Sequence, residues 1–121
     1  MLLLIIYYSC VNIYIDSFYQ LYVNADGVIY DIAYTFEEPA ELDTEGLDAW
    51  NAECDVATAR GDGYWTFEAA IPVATLGIDG IVAGDEWRAN FRRKERVKDS
   101  SADWQYPIGF DPRRFGYMVF E

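Results

Sequence analysis

The sequence of 121 residues contains no histidine. Histidine is the usual general acid or base near neutral pH, a member of the Ser-His-Asp triad and a frequent zinc ligand. Its absence therefore excludes those three kinds of site. A haem iron held by Met and His is excluded as well, because the chain has no histidine and only two methionines, Met1 and Met118.

Cysteine is scarce as well, with Cys10 and Cys54 alone. Two cysteines are too few for a disulfide framework. They leave two readings open, a single bridge in a secreted protein or two thiols that behave as small apolar side chains. We favour the thiols.

Basic residues are missing from the first half of the chain. Lys and Arg are absent before Arg60, residues 1–59 carry eleven acids, and the net charge is −12. Such a surface repels nucleic acid and anionic membranes. The basic run at residues 92–98 is interrupted by Glu95 and is expected to be a solvated strand end. With 21 acids, carboxylate pairs are unavoidable, and no motif singles out two of them as a glycosidase pair. We therefore predict no catalytic activity, no nucleic-acid binding and no membrane insertion.

No apolar run approaches the length of about 20 residues that a membrane-spanning helix needs. Residues 1–6 are apolar, but they lack the basic start and the small cleavage-site residues of a signal peptide. We predict that they form a strand or are left from a truncated start, and we treat residues 1–8 as an uncertain apolar N-terminus. Residues 9–121 are then one domain, because a chain of this length has room for one ordinary core.

Aromatic residues make up 17% of the chain and follow the alternation of strands. In residues 64–71 every second side chain is apolar from Trp65 onward, which is the period of a half-buried strand. Pro72 should end this strand, since proline lacks the N–H of a ladder. Residues 55–59 supply a hairpin partner across the turn sequence Gly61-Asp62-Gly63. Residues 84–93 repeat the pattern with Trp87, so Trp65 and Trp87 are predicted core residues.

Further strands are predicted at residues 10–16, 19–24, 28–34 and 115–121. The second and third are joined by the tight turn Ala25-Asp26-Gly27. The acidic residues 36–53 are predicted to be a long surface loop with a helical turn near 47–51, and residues 73–77 a short helical turn. The fold class predicted is all-β, an antiparallel β-sandwich of the jelly-roll or immunoglobulin-like kind.

Several of these positions occur in an order and spacing that resembles the family 9 carbohydrate-binding modules. The matching residues are Trp65, Glu68, Ile71, Pro72 and Leu76; Gly84, Trp87, Asn90, Phe91 and Arg93; Trp104; and Pro112, Phe115 and Gly116. The resemblance covers about residues 9–121 and implies a sandwich that lacks its N-terminal strands, because the family's domains are longer. It implies a non-catalytic module, accessory to a glycoside hydrolase, that recognises plant-type polysaccharide or its sugar ends.

The resemblance also implies a carbohydrate site. Trp104 matches the loop tryptophan on which the family stacks sugar, and it lies among polar residues where burial does not explain it. Arg93 and Glu68 match family positions and are expected to form a hydrogen-bonded pair or a salt bridge. Asn90 is expected to bond a sugar hydroxyl or to cap a bulge, and Asn12 stands where the family has Glu. The candidate carbohydrate-binding residues are Trp104, Tyr106, Trp50, Asn12, Asn90 and Arg93.

The expected partners are a polysaccharide or oligosaccharide and an appended catalytic domain, in a secreted or cell-surface protein. No cofactor is predicted. A structural calcium ion would need several oxygen ligands, and the acids provide oxygens without the spacing of an EF-hand. The alternative function is a structural or interaction domain that keeps the sandwich and has lost the sugar site, because no tryptophan precedes Asn12 to form a second platform.

Overall fold

The computed structural model describes residues 2–6, 10–15, 17–37, 41–43, 50–95, 100–105 and 112–121. These residues form two antiparallel sheets, and their strands are β1 (Leu2–Ile6), β2 (Cys10–Tyr14), β3 (Phe18–Val23), β4 (Ile29–Glu37), β5 (Glu41–Asp43), β6 (Asp55–Gly61), β7 (Tyr64–Ile71), β8 (Glu86–Glu95), β9 (Ser100–Asp103) and β10 (Gly116–Val119).

The smaller sheet has the strand order β1-β7-β6. The hairpin β6–β7 turns at Asp62-Gly63, with Gly63 at a φ of 76°, a left-handed conformation that glycine adopts without steric cost. Beyond Pro72 the chain forms a 3₁₀ helix at Val73–Leu76. The hairpin and the helical turn predicted here are both confirmed, and the apolar residues 2–6 are a strand of this sheet.

The larger sheet has the order β10-β8-β2-β3-β4-β5, and β9 also pairs with β8. One edge of β8 pairs with β2. The other edge pairs first with β10, over residues 86–89, and then with β9, over residues 92–95. Asn90 and Phe91 therefore lie at a junction between two strands that follow one another along the same edge.

The core lies between the two sheets. The larger sheet contributes residues such as Ile13 and Leu21, the smaller sheet contributes Phe67 and Ile71, and Trp87 belongs to the same cluster. This packing of two antiparallel sheets face to face is the predicted all-β sandwich. Trp87 is buried as expected. Trp65 is half-buried and packs against the cluster from its margin, so the prediction of a core position is only partly right.

The tip of the β3–β4 hairpin joins the two layers. Asn24 Oδ1 accepts hydrogen bonds from the N–H groups of Asp26 and Val28, which fixes the turn. Asp26 then forms an ion pair with Arg60 on β6, with Oδ1 and Nη2 2.6 Å apart. The two sheets are therefore also in contact at this margin, where an exposed ion pair adds little stability compared with the core.

The prediction of a long loop at residues 36–53 is wrong in part. Strand β4 continues to Glu37, and β5 pairs with its end, so the β rhythm persists into the acidic segment. Most of the predicted helical turn at 47–51 lies outside the described residues. Alternating strand signals are weak here because the acids interrupt them, and pairing with the preceding strand overrides that local preference.

Candidate functional site

The loop that carries Trp104 is attached at the junction on β8. The backbone N–H of Trp104 donates to the carbonyl oxygen of Phe91 at 2.9 Å, which continues the β9 pairing by one step. The ring of Trp104 contacts the ring of Phe91, with centroids 5.6 Å apart and planes tilted by 48°. Trp104 remains 44% exposed. The predicted loop tryptophan is therefore held at its base and open to solvent.

Gly116 allows this ring to lie against the sheet. A Cβ atom at position 116 would come within 2.6 Å of Trp104 Cζ3 and 2.7 Å of Cη2, so the ring could not stay where it is if residue 116 had a side chain. The ring therefore occupies the space of the missing side chain, over the backbone of β10. We call the indole of Trp104 with the Gly116 backbone beneath it the Trp104 platform.

Asn90 anchors the same loop from the other side of the sheet. Its side chain is fully buried, and its Oδ1 accepts a hydrogen bond from the N–H of Gln105 at 2.9 Å. Its Nδ2 has no hydrogen-bond partner among the described side chains. A buried amide that holds the residue after Trp104 positions the platform and offers nothing to a ligand in solvent.

A second contact ties β9 to β8 beside Asn90. Arg92 Nε lies 3.5 Å from Asp103 Oδ1, and the Asp103 side chain is almost fully buried. Because Arg92 and Asp103 are directly paired across the strands, this ion pair fixes the residue that precedes Trp104. Sequence reasoning missed this role for Asp103, and it treated Gly116 only as a motif position.

Arg93 lies on the same face of the sheet as the platform. Strand alternation places Phe91 and Arg93 on one face of β8, and the contact between the Phe91 and Trp104 rings places Trp104 there too. The side chain of Arg93 is exposed. The predicted pair with Glu68 is wrong, because no hydrogen bond or ion pair joins these two described residues. Glu68 is exposed on the smaller sheet, between the buried Phe67 and Ala69, and so points away from the core.

Trp50 has a structural place in the fold. Its Nε1 donates to the carbonyl oxygen of Thr75 at 2.8 Å, and its ring packs on Tyr19 with centroids 4.9 Å apart. The indole is half-buried against the core. Its partners lie on β3 and in the 3₁₀ helix, and β3 is separated from β10 and the platform by β2 and β8, so the structure does not bring Trp50 and Trp104 together.

The two remaining candidate sugar-binding residues are Tyr106 and Asn12. Tyr106 lies outside the described residues. Asn12 is described in its backbone alone, where it pairs in register with Gln20 on β3 and with Asn90 on β8. The structure thus brings Trp104 and Arg93 to one surface, with Asn90 beneath as an anchor.

Three further observations concern metal ligands, the Cys54 thiol and membrane-spanning helices. Among the described residues, no three Cys, Asp or Glu side chains lie close enough to hold a metal ion. Cys54 is a free thiol, and burial, followed by the charge of Asp31, raises its pKa. Within the described part of the chain, no helix is long and apolar enough to cross a membrane.

No known family model, no curated protein and no solved structure matches this chain.

Proposed function

We propose that this chain is a non-catalytic carbohydrate-binding module in which the Trp104 platform stacks against a sugar ring. The single observation that carries the proposal is a flat indole, 44% exposed, lying on a glycine that has no side chain to lift it. A pyranose presents C–H groups on its face, and an aromatic ring is the surface on which such groups pack.

The surroundings of the platform support a binding role because they fix it. A stacking residue must be rigid before the ligand arrives, since ordering it on binding costs free energy. Here the backbone N–H of Trp104 is hydrogen-bonded to Phe91, and the N–H of Gln105 is hydrogen-bonded to the buried Asn90. The resemblance of the ordered motifs to family 9 carbohydrate-binding modules supports the same function, with polysaccharide as the ligand, no cofactor, and an attached glycoside hydrolase in a secreted or cell-surface protein.

The second candidate is a sandwich that acts as an interaction domain without a sugar site. The position of Trp50 favours it. Trp50 is the only tryptophan besides Trp104 outside the predicted strands, and it is held by Thr75 and Tyr19, so it does not form a second ring facing Trp104 across a sugar. Asn12 at the position of the family's Glu favours it too. A protein surface can also pack on an exposed tryptophan.

Substitution of Trp104 separates the two candidates. We expect the wild-type protein to bind xylan, cellulose oligosaccharides or related glycans in calorimetry, and Trp104→Ala to lose at least about thirtyfold in affinity, the equivalent of about 2 kcal/mol. The free energy of unfolding should fall by about 1–2 kcal/mol, less than the ~3–5 kcal/mol expected for a fully buried aromatic residue, because much of the indole is already in water.

Tyr64→Ala is the matched control. Tyr64 is 60% exposed, and its ring also covers a glycine, Gly61, but it lies on the β6–β7 hairpin of the other sheet. This variant should keep full glycan affinity. A wild-type protein that binds no glycan, or a Trp104→Ala protein that binds as well as the wild type, would remove the carbohydrate proposal and favour the interaction domain.

A further inference from the structure

Arg93 is the described charged residue closest in register to the platform on its own face of the sheet. The Trp104 N–H bonds to Phe91, and Arg93 pairs with Ala102, so Arg93 and Trp104 are diagonal neighbours across β8 and β9. Diagonal neighbours in an antiparallel pair are about 7–8 Å apart, within reach of long side chains. The residue between them, Ala102, has only a methyl side chain.

The guanidinium of Arg93 is available to a ligand. Arg60 is engaged with Asp26, Arg88 with Tyr117 and the carbonyl of Arg113, and Arg92 with Asp103, whereas Arg114, far along the chain on the 3₁₀ turn Pro112–Arg114, is exposed like Arg93. Arg93 is exposed and makes no hydrogen bond or ion pair with any residue that the structure describes.

A guanidinium next to a stacking ring has a defined preference among sugars. Arginine binds a carboxylate through two parallel charge-assisted hydrogen bonds, which are stronger than its bonds to neutral hydroxyls. A uronic acid carries its carboxylate at the edge of the pyranose ring. A pyranose stacked on Trp104 in the orientation that directs this carboxylate along β8 would bring it to Arg93.

We infer that the site prefers sugars that bear a carboxylate, the uronic acid residues of acidic polysaccharides, over their neutral counterparts. This inference rests on the proposed function and names its ligand class. The net charge of −12 opposes an anionic polymer at long range, but at physiological ionic strength charges more than about 8 Å apart are largely screened. The direct contact with Arg93 then decides the preference.

The test compares one polymer in two chemical forms. Oligosaccharides of glucuronic-acid-substituted xylan are used as they are and after reduction of their carboxyl groups to alcohols, which removes the charge and keeps the rings. By calorimetry we expect the wild-type protein to bind the acidic form at least tenfold more tightly. Arg93→Ala should lose that difference by weakening the acidic form alone, and Arg93→Lys should keep part of it.

Two controls make the outcomes distinct. Arg60→Ala removes one positive charge from the other sheet and should leave both affinities unchanged. Trp104→Ala should weaken both forms. Equal wild-type affinity for the two forms, or an Arg93→Ala protein weakened equally toward both, would overturn the acidic preference and leave the stacking function intact. Failure of the wild-type protein to bind either form would overturn both proposals.

Discussion

Substitution of Gly116 by alanine tests whether the indole of Trp104 really lies on the backbone of β10. The new Cβ would be 2.6 Å from Trp104 Cζ3 and 3.1 Å from Gln105 Cγ. Carbon atoms pack best at about 3.5–4.0 Å, so the ring must retreat by about 1 Å. Because the ring is partly exposed, it can swing toward solvent, at the cost of its contacts with the sheet.

The magnitude follows from two opposing effects. Gly116 has no left-handed φ, so alanine fits the strand backbone and by itself should stabilise the fold by about 0.5–1 kcal/mol. Displacement of the indole forfeits packing of similar size or larger. We therefore expect Gly116→Ala to destabilise the wild-type protein by about 0.5–1 kcal/mol and to stabilise the Trp104→Ala protein by a similar amount, a coupling of about 1–2 kcal/mol, typical of residues in contact.

The assay is a double-mutant cycle. Free energies of unfolding for the wild type, both single variants and the double variant are measured by urea denaturation, with circular dichroism as the probe so that loss of a tryptophan does not alter the signal. If Gly116→Ala changes stability by the same amount in both backgrounds, the ring and the glycine are not in contact, and the platform as described is refuted.

Two further outcomes concern the core and the thiol. Phe67→Ala should lower the free energy of unfolding by about 3–5 kcal/mol through the cavity it leaves, and Trp65→Ala should cost clearly less because Trp65 is half-buried at the margin; equal costs in urea denaturation would contradict this packing. Cys54 should react slowly with a thiol reagent near neutral pH and faster as the pH rises, because its raised pKa keeps it protonated. In a Cys10→Ser variant Cys54 is the only thiol, and it should ionise at lower pH in the unfolded than in the folded protein. The free energy of unfolding should therefore fall as the pH rises above the usual pKa of cysteine. A reaction rate of Cys54 at neutral pH equal to that in the urea-unfolded protein would contradict the raised pKa.

Those parts of the fold that depend on local patterns could be predicted from the sequence. The β6–β7 hairpin combines a glycine turn with strict alternation, and its end is fixed by Pro72, so three neighbouring signals agree. The exposure of Trp104 was also predictable from its polar neighbours, although Ser100, Ser101 and Asp103 form strand β9 and Trp104 follows directly after it. In each case the physical cause lies within about ten residues of the feature.

The parts that could not be predicted depend on residues far apart in the chain. Gln20 and Phe18 are buried on the face of the larger sheet that turns away from the core, and Phe115 covers Phe18 with ring centroids 5.4 Å apart. No residue close to Gln20 in the sequence indicates that Phe115 will cover this face. The role of Trp50 likewise depends on the carbonyl of Thr75, and the predicted pair of Glu68 with Arg93 failed because alternation within β7 turns Glu68 outward.

Strand β8 joins β9 and β10 to the rest of the larger sheet, and this has a consequence for how the chain folds. The hairpins β3–β4 and β6–β7 need only short loops to close, so they can form early. Pairing of β2 with β8, by contrast, brings Asn12 opposite Asn90, nearly eighty positions along the chain. Closing so long a loop costs entropy before its contacts are gained, and sandwiches dominated by such pairings fold in about milliseconds to seconds. The Trp104 platform is built on β8, β9 and β10, which meet the other strands of the larger sheet only through the β2–β8 pairing, so it reaches its place in the sandwich only in that slow step.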